Sequence, residues 1–584
     1  MNYITRTSLL TLIIATTVLS SCSDFLDRDP IDKLTPSSFF KTEKDLQLYA
    51  YSFYNQNTPS ALAITTDDGM ADYTSKQRSN EFMLDSYSPV SEAAWSWTKL
   101  RNINYFLQQC NNPEISIEAR NHYIGIARFF RAYFYLDKVQ TYGDVPWYNK
   151  PLGTSDPDLY KKRDSRELVM DSVLADINFA CSNIRETKDA TASQITRLTA
   201  LAMKSRICLF EGTFRKYHTE LGLTQSANSW LEAAASAAKE LIDLKKYSLY
   251  NTGKPESDYR TLFTNEDPVS QEVIWASVYN NDLKRYHEVT WRFNSSTYGS
   301  RWGLIRQFVD TYLMADGSRF TDKVDYDKVT FMEEMKDRDK RLSQTIRSLG
   351  YTRSDGTPAP PNFGVTYTGY HILKHSLDDK TLDGVGKSYN SVPIIRYAEV
   401  LLNYAEAMAE LNKFDESIWQ QTIALLRKRA GVNTDVPLTA DSYLQTMYFP
   451  EISDKFLLEI RRERGIELCY EGFRYNDLLR WKKGKLMEMQ WKGIYVPSMD
   501  MEMDLDGNGK PDACFVTKAP SKKTSGVIYY IIDNVAANLT EKIKGNVTWR
   551  DEEKRTFSDK MYYHPISNED RKINPQLTQN PGWE

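Results

Sequence analysis

Apolar residues recur at helical spacing in several separated stretches of this 584-residue chain, which favours packed helices over a continuous sheet. Ile126, Phe129, Phe130, Tyr133 and Phe134 fall at i, i+3, i+4, i+7 and i+8. Trp230, Ala233, Ala234, Ala237 and Ala238 repeat those steps, and Leu401, Tyr404, Ala405 and Met408 follow the first four. Each set draws one apolar stripe on an amphipathic helix. Val169, Val173, Ile177, Ala180, Cys181 and Ile184 draw another, opened by Asp164 with Glu167 three residues on, a capping-box arrangement. The run 403–407, followed by a second helix through Ile423 to Arg429, predicts tetratricopeptide-like αα-hairpins without a fixed repeat length. Long polar segments rich in Tyr, Trp and Gly separate the helices, at roughly 57–95, 247–302, 350–392 and 483–556. Connections of that length usually serve function. Asp316-Gly317, Asp355-Gly356 and Asp383-Gly384 predict tight turns and short β-hairpins in or near them. The expectation is a mainly α fold with long loop and short β-hairpin insertions, built from several packed units because the chain exceeds the size of one core.

A net charge of −4 and the want of any Lys/Arg-rich block argue against nucleic acid as a partner. Arg6, the apolar run 9–19 and Ser20-Ser21-Cys22 read as an export signal. The run is too short to span a bilayer, which takes about 20 helical residues. Leu19-Ser20-Ser21-Cys22 resembles the lipobox of bacterial lipoproteins, in which Cys22 becomes the lipidated first residue. The remaining five cysteines form no close pairs, so neither a disulfide framework nor a C-x-x-C metal site is written here.

Five blocks carry a resemblance along the chain: Ser21–Asp27; Ala127–Tyr133 leading to Tyr142–Pro146; Arg396–Val400 with Asn403–Ala407; Glu463–Leu468 with Glu471–Tyr475; and Asn574-Pro575 with Gln579–Trp583. In these the sequence resembles the SusD/RagB family of Bacteroidota outer-membrane lipoproteins, surface glycan-binding partners of SusC-type TonB-dependent transporters. The resemblance implies a tetratricopeptide-like αα-hairpin scaffold supporting an irregular ligand face, no catalysis and no organic cofactor. It also implies a signal peptide over 1–21, a helical half over 22–245, and a half bearing the ligand-face insertions over 246–584. The acidic run Asp24, Asp27, Asp29 and Asp32 is implied to direct surface export.

Glu459, Glu463, Glu467 and Glu471 recur every four residues, with neighbouring Cβ atoms about 5–6 Å apart. That approaches the spacing of a retaining glycosidase pair, but Arg461, Arg462, Arg464 and Arg474 interleave and favour the ionised forms. A structural ion-pair network is expected. Gly384–Ser388 imitates the end of a phosphate loop, yet position 381 is Thr where Gly is required. His371 and His375 stand four apart without a third adjacent ligand and read as a solvated pair. Asp504, Asp506, Asn508, the Lys510 carbonyl and Asp512 occupy positions 1, 3, 5, 7 and 9 of an EF-type loop, a spacing that suits a structural Ca²⁺. Phe515 replaces the closing Glu of position 12.

Sugar rings stack on aromatic faces, and their hydroxyls need planar polar groups nearby. The candidates in the long segments are Tyr73, Trp95, Trp97, Trp291, Tyr298, Trp302, Tyr367 and Tyr370, with Asp67, Asp68, Asn294 and Arg301 as polar partners. The favoured reading is a lipid-anchored oligosaccharide-capture protein at the outer-membrane surface, serving a SusC-like TonB-dependent transporter. Peptide capture, as in RagB-type members, is the alternative, and an anchored glycan-degrading enzyme ranks third.

Overall fold

In a computed structural model, residues 39–92 and 94–584 are described. Cys22, the signal segment and the acidic run lie outside them. Helix accounts for 43% and strand for 10%, as the mainly α expectation requires.

The helices that build the scaffold include α1 (Glu43–Asn57), α2 (Thr98–Gln109), α3 (Ile117–Tyr142), α4 (Arg166–Asn183), α5 (Arg197–Tyr217) and α6 (Ala227–Asp243). After a long interval follow α7 (Tyr397–Glu410), α8 (Ile423–Arg429), α9 (Lys455–Glu467) and α10 (Arg474–Arg480). α3 packs on α4 and α5 on α6, the hairpin arrangement, while α7 lies against α5, α6 and α9. The predicted stripes face inward: Phe129, Phe130, Ala234, Ala238, Leu401 and Ala405 are all buried. Ser165, one residue beyond Asp164, caps α4 by accepting from the Leu168 N–H. Asp164 instead accepts from the Trp147 N–H at 2.7 Å, because it bridges back to Val145.

The main hydrophobic cluster draws residues from Phe40 to Leu577, so both halves of the chain share it. Cys110, Cys181, Cys208, Cys469 and Cys514 are buried and unpaired. The strands are short: β1 (Thr74–Ser75), β2 (Val273–Ser277), β3 (Gly303–Leu304), β4 (Val392–Arg396) and β5 (Lys492–Val496). They continue with β6 (Glu502–Met503), β7 (Ala513–Val516), β8 (Ile528–Ile531), β9 (Ala537–Leu539) and β10 (Gly545–Trp549). β1 pairs with β3, β2 with β4, and two three-stranded sheets run β5-β10-β9 and β6-β7-β8. Asp316-Gly317 and Asp355-Gly356 close tight hairpin turns, their glycines at φ +86° and +79°. Asp383-Gly384 only bends, and Lys387 Nζ there donates to the Thr381 carbonyl at 3.1 Å.

Candidate functional site

β1 and β3 pair antiparallel, Thr74 opposite Leu304 and Ser75 opposite Gly303. Gly303 must lack a side chain, since a Cβ there would stand 2.3 Å from the Thr366 hydroxyl. Trp302 lies half-buried against Gly69 and runs nearly parallel to Tyr470, centroids 6.4 Å apart at 21°. Arg301 adopts the left-handed backbone region at φ +53°, uncommon for a residue with a side chain. Its guanidinium sits 4.3 Å over the Tyr367 ring, and Tyr367 stacks on Trp549 at 3.8 Å and 11°. Arg550 lies 5.3 Å from the Trp549 centroid, and Trp549 Nε1 donates to the Lys76 carbonyl at 2.8 Å. Tyr367 and Trp549 are themselves buried, so what reaches the surface here is part of the Trp302 ring with Lys76, Arg301 and Arg550, drawn from distant stretches of the chain. Tyr298, 77% exposed, and half-buried Trp291 belong to the segment leading into it. The Asn294 amide is committed within the protein, accepting from Arg347 Nη2 at 2.7 Å and donating to the Thr290 carbonyl. Lys76, Trp549 and Arg550 escaped the sequence reading; the only hint was that Trp549 falls in a long segment.

Other candidates lie elsewhere. Trp95 and Trp97 meet edge-on at 5.2 Å and line a separate hollow of about 350 Å³ with Tyr148, Arg101 and Ile573. Asp68, Tyr73 and Tyr370 are core residues rather than ligand contacts, each fully buried. Tyr73 donates to Asp68 at 2.8 Å, Asp68 also accepts from the Gly472 and Arg474 N–H groups, and Tyr370 donates to Glu334 at 2.9 Å. Their segments turn inward instead of lying on the surface. Asp67 faces a different cavity, of about 510 Å³, together with Asp137, Tyr475 and His564. Asp67 is exposed to that cavity, yet the protein packed around it, reinforced by Asp68 and Asp137, pushes its carboxyl up to about 7.

His371 and His375 are likewise not solvated. Both are buried, their Nε2 atoms held by the Phe293 and Tyr470 carbonyls, and burial keeps them neutral, His375 pushed down to about 3. The glutamate stripe on α9 does form a buried ion-pair network. Glu463 meets Arg341 at 2.8 Å and Arg427 at 2.7 Å; Glu467 meets Arg341 at 3.0 Å, Arg396 at 2.6 Å and Arg429; Glu471 meets Lys374 at 2.6 Å and Arg396 at 2.7 Å. Burial alone would raise these carboxyls, but the cations outweigh it and hold all three below the usual range. A proton donor for glycosidic cleavage needs the opposite. The interleaved arginines mostly look elsewhere, Arg461 to Glu410, Arg464 to Asp477 and Arg474 to Asp72.

In the acidic loop, carboxylate oxygens of Asp504, Asp506 and Asp512 come within 4.8 Å of one another. Asp504 accepts from the Gly507 and Gly509 N–H groups, which requires left-handed glycines at φ +81° and +80°. Burial and then Asp506 and Asp504 raise the Asp512 carboxyl, a repulsion that a hard divalent cation would relieve. Asn508 Oδ1 accepts from the Lys510 N–H.

A SusD family model matches residues 271–583, over half of the chain. The chain belongs to the SusD family. A second model, described as starch-binding associating with outer membrane, matches residues 24–209. SusD-like protein P38 of Formosa agariphila is 24% identical over 513 residues, covering 81% of this chain and 90% of the relative. Among solved structures, a SusD-like carbohydrate binding protein from Bacteroides fragilis superposes with TM-score 0.69 at 20% identity, over 93% of this chain and all of that one. Surface glycan-binding protein A from Bacteroides fluxus gives 0.57 at 18% identity, over 92% and 99%. These likenesses establish a SusD fold.

Proposed function

We propose that this SusD-family chain captures oligosaccharide at the cell surface without cleaving it, anchored in the outer membrane through lipid on Cys22, and passes the ligand to a SusC-like TonB-dependent transporter. The carrying observation is half-buried Trp302, with exposed Tyr298 on the segment leading to it, next to Arg301, whose guanidinium caps the buried Tyr367–Trp549 stack outside the helical scaffold. The carbohydrate-binding and surface glycan-binding proteins among the structural neighbours, and the starch-binding, outer-membrane-associating family matched by residues 24–209, support the reading. We also propose a structural Ca²⁺ in the loop of Asp504, Asp506, Asn508, Lys510 and Asp512, whose donor set fits a hard cation. Stacking and hydrogen bonds should give affinities of about −4 to −8 kcal/mol. The test is titration of the purified protein against a glycan panel. Trp302→Ala or Trp291→Ala is expected to weaken binding strongly, because contact energy concentrates in a few rings, while the melting temperature holds. Variants that bind like the parent, binding of peptides alone, or cleavage of the ligand would defeat the reading.

A further inference from the structure

We infer that the captured ligand is acidic: a glycan whose carboxylate or sulfate groups are taken by Lys76 and Arg301 beside the Trp302 ring. The inference rests on the glycan-capture reading and names the class of sugar. Several buried arginines are neutralised by the carboxylates around them, as Arg341, Arg396, Arg429 and Arg474 are. Lys76 and Arg301 of the patch have no such partners among the described residues. Among the described residues, the partner of Lys76 Nζ is only the Met70 thioether, 4.0 Å away. Arg301 Nε is buried with no acceptor, and its guanidinium is held by the Tyr367 face alone. A guanidinium stacked flat on a ring keeps its edge donors free, and that edge matches the two oxygens of a carboxylate or sulfate. Arg550, the third cation, is already paired with Glu552 at 2.8 Å. Lys76 follows β1 while Arg301 and Trp302 precede its antiparallel partner β3, so both cations sit on the segments that carry the half-buried ring, and a sugar stacked there could offer its acidic substituent to them. The chain's overall charge of −4 offers no long-range attraction, so the selectivity is local.

The experiment is calorimetric titration at pH 6.5, where Lys76, drawn down to about 8 by burial, is still charged. The probes come in matched pairs: galacturonate oligosaccharides with their methyl esters, and sulfated galactan oligosaccharides with their desulfated forms. One acidic class should bind at least about tenfold tighter than its neutral twin, and the two pairs tell carboxylate from sulfate. Lys76→Gln and Arg301→Gln should each cost about tenfold for the acidic probe, with Arg301→Lys costing less. Raising salt on the unaltered protein should weaken the acidic probe alone, a readout independent of whether the variants fold. Neutral probes bound as tightly as acidic ones, or no acidic probe bound, overturns the inference and leaves glycan capture standing. Peptides bound and no sugar at all overturns the reading beneath it.

Discussion

Glu467 is wholly buried and ringed by Arg341, Arg396 and Arg429. Removing it leaves three guanidinium groups short of a counter-charge, so Glu467→Ala should cost about 3–5 kcal/mol in urea unfolding; a loss under about 1 kcal/mol would refute the network's structural role. The same geometry sets an acid limit. Glu463, Glu467 and Glu471 are held below the value they take when unfolded, and Glu406 is lowered to about 2, the Arg480, Arg464 and Arg461 charges outweighing its burial. Their contribution is complete above the unfolded value near about 4.3 and disappears as pH falls toward 2. Asp67 acts in the opposite sense. Its folded value of about 7 lies above the unfolded one, so the native state binds the extra proton and loses stability as pH climbs from about 4 to 7. Asp67→Asn should therefore raise the melting temperature at pH 8 and leave it unchanged near pH 4; an equal shift at both would disprove the assignment. Four-residue spacing made the glutamate stripe legible in the sequence. It could not show that Arg341, Arg396 and Arg429 close over it, because periodicity describes a face and not what packs on that face.

Helices with one buried face announced themselves, and Phe129, Ala234 and Leu401 lie where their spacing puts them. Segments enclosed on all sides did not. Tyr370, His371 and His375 sit among polar and turn-forming neighbours that suggest surface, yet the chain folds them under other segments and satisfies them internally. The acidic loop was legible because its ligands are local, and its glycines occur where left-handed backbone is required. Calcium bound only to the folded loop should raise the melting temperature by ligand linkage, about 2.7 kcal/mol at a hundredfold excess over Kd. Equal melting temperatures in calcium and in chelator would remove the metal from this loop, and Asp506→Ala should abolish any shift.

Among the described residues no helix is long and apolar enough to cross a membrane, and the proposed anchor is lipid on Cys22. Cys22→Ala should move the protein from the membrane fraction to the soluble one; unchanged partition would exclude the lipid anchor. The architecture was legible through motif blocks spread along the chain; of the candidate patch, Trp302, Arg301 and Tyr367 were legible as residue types, but not their meeting with Lys76 and Trp549, which happens only on folding. The charge network carries a further consequence, for the timing of folding. Arg396 alone joins Glu272, Glu467 and Glu471, partners 124, 71 and 75 residues away. A ribosome adding about 5–20 residues per second takes roughly 10–40 s to pass from the first of these glutamates to the last. Until then the guanidinium groups of the central region have no complete set of counter-charges and the core cannot close around them. The order of the sequence thus holds the core open until the last of these glutamates is made, so a fragment ending ahead of Glu463 would leave Arg341, Arg396 and Arg429 without their Glu463, Glu467 and Glu471 partners.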